Sequence, residues 1–306
     1  MKIAISGGTG FLGRPLVQKL VSGGHSVLVL TRRPEQEALS FPPGVTTAAF
    51  DGDKALEPHV LEDMEAVVHL TGEPVAQRWT PSAKAKIVDS RIRSTERIVE
   101  AVRATSSVRT LLGASAVGYY GMPDDALLTE DSPPGSDFLA QVCVAWEAAL
   151  FAAPEAIRTV ALRTGVVLHP QGGALKPLLL QFRLGVGGPV AGGHQYLSWI
   201  HREDWVSLVV FALENPAVRG PLNLTAPHPV TNRDFAQALG HAIQRPSLVP
   251  TPAFALRLVL GDAATVVTKG QRVLPRRALD AGFTFRYPDL PAALGNLFSG
   301  WSHAAA

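Results

Sequence analysis

The chain alternates short apolar runs with longer stretches whose apolar residues recur at three- and four-residue spacing. Residues 2–6 form the first run, which ends in glycines, as expected of a strand buried on both faces. In residues 11–22, Phe11, Leu12, Leu16, Val17 and Leu20 show helical spacing, and Gly23-Gly24 stops the pattern. Residues 25–30 (HSVLVL) read as a second buried strand. Strand, glycine turn, helix and strand in close succession make a βαβ unit.

The same alternation predicts strands over residues 66–70, 109–114 and 159–168, and helices over 81–104 and 138–152. Residues 172–193 are glycine-rich around a helix-like insert, LKPLLLQFRLG. Residues 198–213 read as strand then helix, 221–224 as a short strand, and 232–242 and 253–260 as helices. Strands alternating with helices imply an α/β fold, a Rossmann-type doubly wound parallel sheet, because right-handed crossovers place helices on both faces. The expected division is a dinucleotide-binding domain over residues 1–168, joined again by 199–224. Residues 169–198 and 225–306 then form a smaller C-terminal substrate lobe.

Composition changes this picture little. The 306 residues are 46% hydrophobic and 18% charged, which fits a globular chain with a large interior. A net charge of +2 without basic runs argues against a nucleic-acid partner. No apolar stretch approaches the roughly 18 residues of a membrane span. One cysteine, Cys143, excludes an intramolecular disulfide and agrees with a cytoplasmic location. The sequence offers no paired histidines or second cysteine for a metal, and Asp124-Asp125 lacks accompanying ligands. The expected partner is a small-molecule substrate, and a homodimer is compatible with the sequence.

The first chemistry lies in Gly7-Gly8-Thr9-Gly10-Phe11-Leu12-Gly13. Glycine at 7 permits a tight turn, at 10 a close approach of backbone to a pyrophosphate, and at 13 close packing of helix on strand. The helix N-terminus then offers free N–H groups and a positive dipole end to the anion. This motif follows a strand and opens a helix, the context that marks a dinucleotide site. An acidic residue after the second strand would favour NAD(H). Thr31-Arg32-Arg33 stands there instead, and guanidinium groups suit a 2′-phosphate, so the expected cofactor is NADP(H).

Across nearly its whole length the chain resembles the extended short-chain dehydrogenase/reductase superfamily, of the epimerase/dehydratase type. Within it the chain is most similar to the YfcH-like, SDR39U-type epimerase family proteins, which carry a C-terminal domain of unknown function. The stretches that carry the resemblance are SGGTGFLG (6–13), TRRP (31–34), HLTGEP (69–74), RW (78–79) followed by SRIRST (90–95), and SAVGYYG (115–121). WEAA (146–149), RTGVVL (163–168), GHQYLSWIHREDW (193–205) and KGQRVLPRRALDAGFTF (269–285) complete them. The resemblance implies cofactor contacts at Leu70, Thr71, Gly72 and Glu73, a phosphate or ribose contact at Arg91, and a nicotinamide contact at Val166.

Members of the superfamily commonly use a serine or threonine and a Tyr-x-x-x-Lys pair on one helical face, the lysine lowering the tyrosine pKa for proton transfer. A glutamate commonly lies four residues beyond the lysine. With Glu147 as that marker, the lysine position holds Cys143 and the tyrosine position Leu139. Leucine transfers no proton, and a buried cysteine behaves as a small hydrophobe whose thiol pKa rises. The substitute candidates are Ser115, as a substrate hydrogen-bonding group, and Tyr119, as a phenol, while Tyr120 matches a structural Tyr-Gly. His194, Gln195, Trp199 and His201 are expected near the cleft, with His201 structural and Asp204 capping a helix. Lys269, Gln271, Arg272, Arg276 and Arg277 form a basic cluster suited to an anionic substrate. Two functions remain open: an NADP(H)-dependent epimerase- or reductase-type enzyme, or a non-catalytic NADP(H)-binding sensor.

Overall fold

The computed structural model describes residues 1–123 and 125–299; Asp124 lies outside the described residues. The first half follows the βαβ rhythm. β1 (Lys2–Ser6) leads through the glycine turn into α1 (Gly13–Ser22), then β2 (Ser26–Thr31), a short α2 (Pro34–Ala38) and β3 (Val45–Ala49). β4 (Ala66–His69) and the long α3 (Pro81–Arg103) follow, with Thr80 capping the helix through Ala83 N–H and Pro81 at its first position. β5 (Thr110–Ala116) is followed by the two-residue β6 (Leu127–Leu128) and by α4 (Phe138–Phe151), which Asp137 caps.

The second half is more broken. β7 (Arg158–Thr164), β8 (Val166–Leu168), α5 (Leu175–Arg183), β9 (Tyr196–Leu197), β10 (Trp199–His201) and α6 (Arg202–Glu214) come first. β11 (Gly220–Leu224), β12 (Val230–Thr231), α7 (Asn232–Ala242), α8 (Ala253–Leu260), α9 (Thr265–Thr268), β13 (Arg272–Val273), α10 (Arg276–Asp280) and α11 (Leu290–Phe298) complete the chain.

Seven strands form one parallel sheet in the order β11-β7-β5-β4-β1-β2-β3. The chain winds outward from β1 to β3, then returns to β4 and winds the other way. The carboxyl ends of β1 and β4 therefore flank a topological switch point, where crossovers leave in opposite directions and open a crevice. α1 and α6 help cover one face, with Leu16, Leu20, Trp205 and Val209 among its buried side chains. α3 and α4 help cover the other, through Ile98, Val102 and Leu150. α4 lies close on β5: a Cβ on Gly113 would come within 2.6 Å of Leu150 Cδ2. A third cluster joins α5, α7 and α11 around Leu179, Phe182, Trp199, Phe235 and Leu294.

Three readings of the sequence change. The expected strand over 159–168 is two strands. At Gly165 a Cβ would lie 2.9 Å from Thr225 Cγ2, and β8 leaves the sheet to pair with β10. The edge strand β3 carries no fully buried residue, and its polar VTTAA sequence gave no apolar run to detect. Asp204 does not cap α6. His201 does, its Nδ1 accepting from Glu203 N–H, while the buried Asp204 carboxylate accepts from Arg286 and Tyr287 N–H. No described helix is long and apolar enough to cross a membrane.

Candidate functional site

The glycine turn leaves the carboxyl end of β1 with Gly7 at φ +74°, a conformation that disfavours any side chain. A Cβ on Gly7 would also press 3.0 Å against the Leu70 carbonyl carbon, so the turn lies directly on the end of β4. Gly13 opens α1, and a Cβ there would overlap the Gly7 carbonyl oxygen and come within 2.6 Å of Gly8 Cα. No side chain caps α1, and its first turn carries no acidic residue. The Arg14 and Leu16 N–H groups are taken by the Gly10 and Leu12 carbonyls and Pro15 has none, so Phe11, Leu12 and Gly13 carry the N–H groups left at this helix start, which fits a diphosphate. Phe11 packs under the loop after β8, where a Cβ on Gly172 would overlap its ring.

Thr31, Arg32 and Arg33 end β2 beside this turn, because Ser6 and Leu30 are register partners. Both arginines are exposed, and neither guanidinium has a carboxylate partner among the described residues. Arg14, in α1, is committed instead to Glu37 at 2.7 Å and to the Thr9 carbonyl. On the other side of β1, Leu70, Thr71, Gly72 and Glu73 leave β4. Arg91 lies beneath them and is buried, its Nη1 donating to the Glu73 and Ile87 carbonyls and its guanidinium 5.0 Å from the Trp146 ring centroid. Burial pulls its pKa down, against the pull of Cys143 and Glu73. Val166 starts β8, where its N–H is already taken by the Ser198 carbonyl at 2.8 Å.

Below the turn, His69 bridges Ser6 Oγ at 2.6 Å and Ser94 Oγ at 3.1 Å, fully buried. Burial lowers its pKa from 6.5 to about 4, and His201 is lowered to about 4, chiefly by burial too. Because the unfolded histidines regain pKa values near 6.5, this stability is present above that pH and is lost as pH falls toward 4. The His69 contribution is on the order of 3 kcal/mol. Urea midpoints should fall progressively between pH 7 and pH 4.5, and His69→Gln should flatten the slope. An equally steep slope in the variant would disprove this assignment.

The carboxyl end of β5 carries a buried ionic network. Arg163 Nε and Nη2 hold both Glu147 oxygens at 2.8 Å, and Ser115 Oγ donates to Glu147 Oε1 at 2.6 Å. Arg163 Nη1 donates to Tyr120 Oη, which donates on to Asn223. Burial works against the Arg163 charge, but Glu147 and Tyr120 raise its pKa overall. Burial pushes the Tyr120 phenol up to about 12 despite Arg163. Tyr119 stacks its ring 3.5 Å from the Arg163 guanidinium carbon and packs with Leu128 and Val273. The Ser115 proton is therefore committed, whereas the half-buried Tyr119 hydroxyl has no partner among the described residues.

α4 presents Leu139 and Cys143 to this end of the sheet. A Cβ on Gly118 would lie 3.5 Å from Leu139 Cβ and 3.8 Å from Cys143 Sγ. Burial and Glu147 push the Cys143 thiol up to about 12, which leaves it an unreactive thiol near neutral pH.

Beyond Leu139 opens a cavity of about 600 Å³ between the starts of α3 and α4 and the segment from Arg257 to Lys269. Trp79, Lys84, Phe138, Arg257 and Lys269 line it. Of the basic cluster expected in the sequence, Lys269 alone lines this cavity. Gln271 donates to the Gly121 carbonyl, Arg272 lies over Tyr196, Arg276 pairs with Asp280 and Arg277 with Asp131. Lys84 and Asp262, 178 positions apart, were not foreseeable as a pair, since no local pattern links them. His194 is exposed, while Gln195 ties the Val190 and Val267 carbonyls together.

Residues 3–224 match the profile of the NAD dependent epimerase/dehydratase family, nearly the whole span of the sheet. The chain belongs to that family. Residues 251–297 match a domain of unknown function, DUF1731, so this C-terminal module contributes Arg257 and Lys269 to the cavity. The epimerase family protein SDR39U1 homolog from the chloroplast of Arabidopsis thaliana is 41% identical over 301 residues, covering 96% of this chain and 86% of the relative. Epimerase family protein YfhF of Bacillus subtilis is 36% identical, covering 98% of each chain. The crystal structure of human epimerase family protein SDR39U1 with NADPH superposes with a TM-score of 0.86 at 34% identity, covering 98% of this chain and 99% of the human one.

Proposed function

We propose that this chain binds NADP(H) in the crevice at β1 and β4 and serves as a hydride-transfer enzyme of the epimerase/dehydratase family. The observation that carries the cofactor choice is the pair of exposed, unpaired guanidinium groups, Arg32 and Arg33, beside an uncapped helix start. The 2′-phosphate of the adenosine would lie on these arginines and the diphosphate on the N–H groups of Phe11, Leu12 and Gly13, with Gly7, Gly10 and Gly13 giving the backbone room and the Gly10 N–H closing the turn on the Gly7 carbonyl. The human relative solved with NADPH supports the same choice. Leu70, Thr71, Gly72 and Glu73 would floor the cofactor, and Arg91 would steady that floor through the Glu73 carbonyl. Bound there, the dinucleotide supplies or accepts a hydride.

The double substitution Arg32→Ala/Arg33→Ala should weaken NADPH roughly 10- to 100-fold, consistent with the loss of charge-assisted hydrogen bonds of about 1.5–3 kcal/mol. NADH should change less than about threefold, because it has no phosphate to lose. Calorimetric titration of both cofactors checks this, and equal losses for both would refute the assignment.

One observation favours a second reading, an NADP(H)-binding sensor without turnover. By the resemblance to the superfamily, the tyrosine and lysine positions hold Leu139 and Cys143, and the Ser115 hydroxyl donates to Glu147. Tyr119 remains the nearby phenol with a free hydroxyl. Tight NADPH binding without consumption on a broad panel of carbonyl compounds would decide for the sensor, whereas consumption lost in Tyr119→Phe would give Tyr119 the catalytic proton.

A further inference from the structure

The cavity beside Leu139 carries chemistry that the fold does not need. Its volume, about 600 Å³, is that of a small-molecule site. One wall is aromatic: Trp79 and Phe138 meet edge to face, with ring centroids 5.1 Å apart. Met122, Leu139 and Ala264 extend that apolar surface.

The charged groups are unequally matched. Asp137 is occupied as the cap of α4, accepting from Ala140 N–H at 3.0 Å. Asp262 is paired with Lys84 at 3.2 Å, and Lys84 Nζ also lies 5.3 Å from the Phe138 ring centroid. Arg257 and Lys269 are left, and neither side-chain cation has a partner among the described residues. The two uncharged hydrogen-bonding side chains in the lining are already committed, Trp79 Nε1 to the Val75 carbonyl and the Thr265 hydroxyl to the Asp262 carbonyl, which leaves too little for a polyhydroxylated neutral molecule, whose buried hydroxyls each need a partner.

We infer that this cavity is a substrate site for an acid with a flat apolar body, the body lying on Trp79 and Phe138 and the anionic group held by Arg257 and Lys269. The inference deepens the proposed function and rests on it only in placing the site beside the cofactor crevice. It gives the C-terminal module a role: supplying the cations that select the substrate. The Lys84–Asp262 pair holds that module against the start of α3.

The test uses the full chain saturated with NADP⁺ and titrated calorimetrically with naphthalene-2-carboxylate, naphthalene-2-carboxamide and inorganic pyrophosphate. The carboxylate is expected to bind one site at least about tenfold tighter than the amide. Lys269→Ala and Arg257→Ala, both at exposed positions, should each weaken the carboxylate about tenfold and leave the amide unchanged. Trp79→Leu should weaken both. Equal binding of acid and amide, no binding of the acid at millimolar concentration, or unchanged affinity in either cation variant would overturn the inference. So would pyrophosphate binding more tightly than the aromatic acid, or a Trp79→Leu variant with wild-type affinities. Failure of NADP⁺ to load would instead refute the cofactor reading, and titration of the cofactor-free chain would still decide the acid site.

Discussion

Gly13→Ala is expected to remove NADPH binding almost completely, by more than about 100-fold, or roughly 2.7 kcal/mol. The added methyl group would overlap the Gly7 carbonyl oxygen and approach Gly8 Cα to 2.6 Å. Both are backbone atoms, so no side-chain rotation relieves the contact. Either α1 moves off β1 or the turn opens, and both displace the N–H groups that would meet the diphosphate. The substitution should also cost stability, since α1 packs through Leu16, Val17 and Leu20 into the sheet core. Measuring affinity by calorimetry and unfolding by urea separates the two effects. A folded variant with affinity within threefold of wild type would exclude the diphosphate from this turn.

Arg163→Met should be the most destabilising single change away from the cofactor crevice. It leaves the Glu147 carboxylate buried without its bidentate partner and removes the donor to Tyr120 Oη. Breaking such a buried pair from one side costs about 3–5 kcal/mol, because the remaining charge is neither hydrated nor matched. The double variant Arg163→Met/Glu147→Gln should recover part of that loss, since the charge left behind is gone. Urea unfolding at pH 7 gives the comparison. A single-variant loss below about 1 kcal/mol, or no recovery in the double variant, would mean the network is not the structural anchor of the β5 end.

The resemblance is explicit about Ser115 and the glutamate after the missing lysine, yet it does not foretell how they are used. In the fold Glu147 accepts hydrogen bonds from the Ser115 hydroxyl and from Arg163 Nε and Nη2, so these groups brace one another. Tyr120 is drawn into the same network and Tyr119 stacks on its cation, which divides two adjacent tyrosines into a buried structural phenol and one with a free hydroxyl. Sequence spacing cannot separate them, because the difference lies in Arg163 and Asn223, 43 and 103 residues away from Tyr120.

The sequence by itself determined the α/β architecture, the glycine turn, and the arginines in place of an acid after the second strand. Each rests on local physics: hydrophobic period, backbone freedom at glycine, and residues fixed by their distance from a strand end. The resemblance, with Glu147 as its marker, is what implies that Leu139 and Cys143 stand at the tyrosine and lysine positions, since helical spacing by itself names no catalytic pair. Tertiary structure decided the rest. The division of the 159–168 run at Gly165, the cap on α6, the bracing of Ser115 and the meeting of Lys84 with Asp262 all depend on groups far apart in the chain. Their encounters are set by how helices and strands pack in three dimensions, which no local pattern of residues encodes.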